Sequence, residues 1–191
     1  MGSSYFTDPV ILVIDSLFSL YIMAVMLRFM LQWCGADYYN PISQTLVKVT
    51  HPPLRILRRF IPPIGKIDTS SIVLLFSLQM LDDFSVLLLK GVAIGFGALA
   101  ILSVTQLLTL LINIFIFAVI AQAVLSWLNP GTFSSVASTL YSLTEPLLNL
   151  CRRFLPDFGG IDFSPLLALL FLQLCKMIIL PPLHELASLI G

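Results

Sequence analysis

Four long apolar stretches divide the chain. Val10–Trp33 is interrupted only by Asp15 and Arg28, and a second stretch runs from Ser70 to about Leu89 with Asp82 and Asp83 in it. Gly91–Leu128 holds 38 residues without a charge, and Ser164–Leu180 closes on Pro181-Pro182. A helix of roughly 20 apolar residues crosses a bilayer core. The third stretch is too long for that, because as one helix it would reach about 57 Å. Gly91, Gly95 and Gly97 divide it, which predicts an outer connection over 91–103 and a span over Val104–Leu128. A continuous helix running past Lys90 is the rival reading. Pro181-Pro182 is expected to end the fourth span, since proline removes a helix hydrogen bond.

Between the spans the pattern changes to helical amphipathicity. At 100° per residue Leu54, Ile56, Leu57, Phe60 and Ile61 share one face, and Arg55, Arg58 and Arg59 lie opposite. Leu148, Leu150, Cys151, Phe154 and Leu155 repeat that face against Asn149, Arg152 and Arg153. Thr50 and Thr144 are the expected N-caps, with Pro52 and Pro146 in the first turn and with Pro62 and Pro156 as stops. Ile42–Val49 and Phe133–Leu143 predict a further interfacial helix in each half. Gly65 and Gly159 then allow a turn, and Asp68 and Asp162 precede the next span, where a carboxylate caps a helix N-terminus.

These parallels are an internal repeat. A shift of 94 residues pairs Thr50, Pro52, Arg58-Arg59-Phe60, Pro62, Gly65, Ile67, Asp68 and Ser70 with identical residues. Over 50–70 against 144–164, 11 of 21 positions are the same, and most are Thr, Pro, Arg, Gly or Asp rather than leucine. Trp33 with Trp127 and Gln79 with Gln173 follow in the same register. The chain therefore divides into residues 1–96 and 97–191, each a span, a basic elbow and a span. Both halves insert the same way up, which predicts a pseudo-twofold axis along the membrane normal rather than an inverted repeat.

Composition agrees with membrane insertion. Hydrophobic types make up 58% of 191 residues and charged types 10%, against about 25% charged in soluble domains. The formal net charge is zero, which argues against a nucleic-acid partner. The basic residues gather in 35–68 and 129–163, so the positive-inside rule places both elbows in the cytoplasm and both termini outside. The N-terminal run is span-length and lacks a basic start, so it is not expected to be a cleaved signal peptide. The fold class is all-α: an integral membrane protein with four transmembrane helices in two tandem hairpins and interfacial amphipathic helices on the cytoplasmic side.

The unit Arg-Arg-Phe-[Ile/Leu]-Pro-x-[Ile/Phe]-Gly-x-Ile-Asp-x-Ser, present twice after Thr-x-Pro, resembles the YggT family, which includes YlmG-type bacterial and plastid proteins. The resemblance covers nearly the whole chain. It implies a small multi-pass inner-membrane protein without established enzymatic activity. Bacterial members are linked to osmotic tolerance and envelope or division-associated organisation, and plastid relatives to haem-protein assembly and nucleoid organisation. The motif positions are Arg58, Arg59, Pro62, Gly65 and Asp68, with Arg152, Arg153, Pro156, Gly159 and Asp162.

Catalytic and metal motifs are absent from the sequence. Cys34, Cys151 and Cys175 form no CxxC pattern, and no Walker A, GxSxG or HExxH occurs. His51 and His184 fall on opposite faces, which speaks against a bis-His haem pair. No cofactor is expected. Charges inside spans cost about 2.5–3.5 kcal/mol and call for partners. Gln79, Asp82 and Asp83 share one helical face, and the duplicate face carries Gln173 and Lys176. One reading is a polar cluster of Asp15, Asp82, Asp83 and Lys176 in the outer half; the other is that these groups snorkel to water. Gln79 and Gln173 are expected to hydrogen-bond between helices.

The leading functional expectation is a non-enzymatic membrane organiser that meets anionic lipids and a membrane-protein partner through its arginine elbows. The motif residues would alternatively serve only topology and folding. Competing functions are an ion- or proton-linked carrier using the intramembrane carboxylates, and an assembly factor for another membrane complex. Four spans enclose little space, so a pore would require a homo-oligomer.

Overall fold

The computed structural model describes residues 4–65, 67–128, 134–154 and 162–190. Six helices account for nearly all of them: α1 (Ser4–Trp33), α2 (Pro41–Leu57), α3 (Thr69–Leu89), α4 (Phe96–Leu128), α5 (Ser135–Arg152) and α6 (Ser164–Ile190). The fold is all-α. Thr7–Trp33, Thr69–Leu89, Phe96–Ser126 and Ser164–Ile190 are long and apolar enough to cross a membrane. Their outward faces are lined by large apolar side chains such as Leu12, Leu17, Leu81, Phe117 and Met177, as lipid contact requires.

Each half is a hairpin. α1 packs on α3 and α4 packs on α6, with α2 and α5 bridging the bases of their hairpins. The halves join through α3 against α4 and, at the elbow end, through α2 and α1 against α5. The core gathers there: Ile22, Val25, Met26, Met30 and Leu31 of α1 meet Leu54, Leu74, Leu75, Ile114 and Leu143. The second hairpin has its own small core of Val119, Leu148, Cys151 and Ala168. Leu54 and Leu148, equivalent in the repeat, are both buried. The twofold relation is incomplete, because α3 touches α4 while among the described residues no Cα of α1 comes within 8 Å of α6.

Several sequence expectations are corrected. Thr50 and Thr144 are not N-caps but lie fully buried in mid-helix, where their hydroxyls donate to the carbonyls of Leu46 (2.6 Å) and Leu140 (2.9 Å). The caps are Asn40, accepting from the Ile42 amide, and Ser134, accepting from the Ala137 amide. These two are 94 positions apart, so the repeat itself carries the cap. Each elbow thus has one continuous helix where two were expected. Pro52 and Pro146 sit inside it on the exposed side, so the carbonyls they leave unbonded face outward. α2 ends at Leu57, ahead of Pro62, and Arg58 and Arg59 fall in the turn that follows. Pro156, Gly159 and Leu155 lie outside the described residues, as does Phe133.

The outer boundaries also differ. α4 begins at Phe96 rather than Val104. The break falls at Gly91, which adopts φ +69°, and not at Gly97. Gly97 is helical, and a Cβ there would come within 3.2 Å of Ile190 Cγ2, so the missing side chain lets the end of α6 approach α4. α6 continues through Pro181-Pro182 to Ile190. Pro181 comes about 25 Å along the helix from Ser164, so the freed carbonyls fall near the far end of the span.

Candidate functional site at the paired elbows

In the first elbow, Gly65 at φ +62° reverses the chain between Ile64 and Ile67, which pair their backbones. Thr69 Oγ1 donates to the Pro62 carbonyl (2.6 Å) and Ser70 Oγ to the Ile61 carbonyl (2.9 Å), pinning the start of α3 to the elbow. Asp68 holds the N-cap position of α3 without a side-chain bond to the helix backbone. Its buried carboxylate instead accepts from Arg58 Nη2 and from Ser71 Oγ (2.8 Å). Burial pushes the Asp68 carboxyl up, but the bonds from Arg58 and Ser71 and the Arg58 charge outweigh it and hold it below the usual carboxylate value.

The second elbow repeats the pair. Arg152 donates from Nε (3.1 Å) and Nη2 (2.9 Å) to Asp162 Oδ2, and from Nη1 to Glu145 Oε1 and Asn149 Oδ1, both at 3.1 Å. Asp162 does cap, since Oδ1 accepts from the Ser164 amide at 2.9 Å. Its carboxyl also lies below the ordinary value; burial opposes this, and the bonds from Ser164 and Arg152 prevail. Arg58 and Arg152 are therefore staples of the fold. Arg55, Arg59 and Arg153 stand exposed, beside the exposed apolar side chains Ile56, Phe60, Leu150 and Phe154.

The two elbows touch. Asn40 Nδ2 donates to the Ser135 carbonyl (2.8 Å) and to Thr139 Oγ1 (3.0 Å). Cys34 Sγ reaches the Leu143 carbonyl at 3.8 Å, and burial raises this thiol's pKa. α2 and α5 thus form one platform. One residue that sequence reasoning left without a role sits beneath it: Arg28, 7% exposed, donates from Nη1 to Thr50 Oγ1 (2.8 Å) and toward the Val47 carbonyl (3.4 Å). The signal was available in the repeat, where Gln122 stands at the matching position.

The intramembrane residues form the expected group in part: Asp15, Asp82 and Asp83 lie within electrostatic reach of one another, and Lys176 stays apart from them. Gln79 Nε2 lies 2.7 Å from Gln106 Oε1 and 3.3 Å from Asp83 Oδ1, and Ser103 Oγ donates to Asp83 Oδ2 at 2.7 Å. Asp82 is buried, and its Oδ1 has no partner. Asp82 and Asp83 do not snorkel: both are buried, and Asp83 meets Ser103 of α4. Asp15 is exposed on α1. Lys176 joins Asn113 Oδ1 at 2.9 Å instead of the acids, and Gln173 is exposed rather than buried between helices like Gln79. A cavity of about 380 Å³ opens beside Gln79 and Gln106, lined also by Ser19, Thr109, Asn113 and His184, where α1 and α6 stay apart. Among the described residues no His, Cys, Asp and Glu group could hold a metal ion.

Four apolar helices in a duplicated hairpin, with basic elbows gathered at one end, define a multi-pass membrane protein built by internal duplication. The CCB3/YggT family model matches the chain twice, at residues 7–89 and 101–183, in the register of the repeat. The chain belongs to the CCB3/YggT family. It is 39% identical over 183 residues to the uncharacterized protein PA0392 of Pseudomonas aeruginosa, covering 95% of this chain and 91% of that one. It is 39% identical over 167 residues to the uncharacterized protein YggT of Escherichia coli K12, covering 86% of this chain and 85% of that one. A chloroplastic YlmG homolog protein 2 of Arabidopsis thaliana is 37% identical over 62 residues, 32% of this chain and 24% of the plant protein. No solved structure matches.

Proposed function

We propose that this protein is a non-enzymatic organiser of the bacterial inner membrane. Its elbow platform faces the cytoplasm, holds anionic lipid and a membrane-protein partner, and contributes to osmotic tolerance or envelope homeostasis. The observation that carries this reading is the joined α2–α5 platform, which sets Arg55, Arg59 and Arg153 beside exposed Ile56, Phe60, Leu150 and Phe154. A basic and apolar surface of this kind seats at a headgroup boundary, where each cation adds about 1 kcal/mol near an anionic leaflet. The test is the full chain carrying Arg55→Gln, Arg59→Gln and Arg153→Gln, which leaves both arginine–aspartate staples intact. Crosslinking in native membranes should lose its protein partners, and growth after osmotic upshift should fall to that of cells lacking the protein. Unchanged crosslinks and growth overturn the reading.

A second reading is an ion- or proton-linked carrier. It draws on the buried carboxylates Asp82 and Asp83, of which Asp83 bonds Gln79 in the wall of the polar cavity. Buried ionisable groups within spans are costly and commonly mark ion pathways. Purified protein in liposomes should then give a cation flux that Asp82→Asn with Asp83→Asn abolishes; absence of flux across a range of ions removes the reading.

A further inference from the structure

We propose that the cavity between the end of α1 and the first elbow binds the phosphodiester of a phospholipid headgroup. The cavity holds about 520 Å³, and Arg28, Gln32, Tyr38, Ser43, Arg58 and Asp68 supply its polar lining. This deepens the organiser reading, on which it rests only for placing the elbow at a phospholipid surface.

Arg28 is the first observation. It is buried in an apolar helix, and among the described residues its hydrogen bonds are to neutral acceptors, Thr50 Oγ1 and the Val47 carbonyl. No described carboxylate is within ion-pair reach of it. The nearest acid in the cavity, Asp68, is already paired with Arg58, and a buried guanidinium that pairs with no anion of its own is unfavourable unless one joins it. Ser43 is the second and is independent of the charge: it is 8% exposed, it lines the cavity, and its hydroxyl has no partner among the described residues.

Charge balance selects the ligand. Two guanidiniums and one carboxylate leave the lining with a single net positive charge, which one phosphodiester monoanion neutralises. Guanidinium presents paired N–H donors that match two phosphate oxygens, and Ser43 Oγ adds a neutral donor. Depth selects the source. Arg28 is five residues, about 7.5 Å, inside Trp33 at the end of α1. Tyr38 lines the cavity and is exposed, and Trp33 and Tyr39, its near neighbours in sequence, are exposed too, as aromatic side chains are at a headgroup level.

The duplication supplies the control. The second elbow keeps the arginine–aspartate staple, Arg152 with Asp162, but has Gln122 where the first has Arg28 and Ala137 where it has Ser43. Arg28 and Ser43 are therefore dispensable for building an elbow, and the first elbow alone holds this chemistry.

The experiment is native mass spectrometry and thermal unfolding of the full chain in neutral detergent, titrated with dihexanoyl phosphatidylglycerol. One lipid should bind and raise the unfolding temperature. Arg28→Gln with Ser43→Ala, the residues of the second elbow, should weaken binding at least tenfold. Ser43→Ala alone, which removes a hydroxyl without a partner among the described residues, should weaken it several-fold at unchanged stability. Equal binding by these variants overturns the proposal. So does equal binding of dihexanoylglycerol, which would mean an apolar groove, or displacement by inorganic phosphate at the lipid's own concentration, which would mean a free-anion site. The platform variant with Gln at 55, 59 and 153 should keep this bound lipid, so loss of the pocket and loss of the organiser reading are told apart.

Discussion

Arg152 grips a single oxygen of Asp162 with two of its nitrogens, at 2.9 and 3.1 Å, and Arg58 holds Asp68 at the equivalent place in the first elbow. The pair spans ten residues of sequence and closes the loop between an interfacial helix and the following span. The settings differ: Asp68 is buried, while Asp162 is about half exposed. Exposed ion pairs contribute about 0–1 kcal/mol, whereas hydrogen bonds to buried charged groups contribute about 1.5–3 kcal/mol.

Asp68→Asn should therefore destabilise the protein by about 2 kcal/mol, and Asp162→Asn by less than about 1 kcal/mol. The pH dependence follows from the lowered folded-state value of Asp68. Its stabilisation is fully present above the unfolded carboxylate value of about 3.9 and is lost as pH falls through the lower folded value. Thermal unfolding in detergent should show wild type above Asp68→Asn at neutral pH, with the gap closing below about pH 4.

The caps give a second contrast. Asn40 caps α2 and also bonds Ser135 and Thr139 of the other half, whereas Ser134 caps α5 alone. Ser134→Ala should cost about 1 kcal/mol. Asn40→Ala should cost about 2–3 kcal/mol, because two cross-repeat bonds go with the cap. Hydrogen exchange should show faster opening of the first turn in both variants, and of the α2–α5 contact only in Asn40→Ala.

The four spans, the duplication and the Gly65 turn were legible because each is a local property of composition or spacing. What was misread was also local. Pro52, Pro146, Pro181 and Pro182 are helix breakers by rule, yet helices pass through all four. Thr50 and Thr144 looked like caps because a proline followed two residues later, but the cap lies ten positions upstream. Tertiary partners were barely legible: Gln79 was expected to bond between helices and does, to Gln106, but the partner itself could not be named. Lys176 matches Asp82 in the repeat register, but the register does not show that α6 turns Lys176 toward Asn113 of α4. A lone Arg28 gave no hint that Thr50 would sit against it across 22 residues.

The prolines of α6 carry a prediction of their own. Pro181 and Pro182 deprive the Met177 and Ile178 carbonyls of their helix donors, and both of those residues are exposed. Restoring the amides by Pro181→Ala with Pro182→Ala should leave the protein equally or more stable, by about 1 kcal/mol at most. Had the helix ended there, as the dipeptide suggests, the change would extend it and alter the Ile190 contact with Gly97. A cysteine crosslink between positions 97 and 190, formed equally in both proteins, checks this.

The buried carboxylates of α3 separate structure from transport. Asp83 accepts from Ser103 and faces Gln79, so both of its oxygens are engaged. Asp83→Leu removes the α3–α4 bond from Ser103 and the contact with Gln79, although Ser103 keeps the Leu99 carbonyl and Gln79 keeps Gln106, and should cost about 1 kcal/mol, within the range for such bonds in membranes. Asp82 is as deeply placed, but its Oδ1 bonds nothing. Asp82→Asn, which has the same shape, should leave the unfolding temperature unchanged or slightly raised, since it removes a buried charge whose Oδ1 has no partner among the described residues. A protein in which Asp82 serves only packing would then behave as wild type in every assay. A carrier would instead lose cation flux in liposomes at full stability. Flux and unfolding measured on the same Asp82→Asn preparation decide between the two.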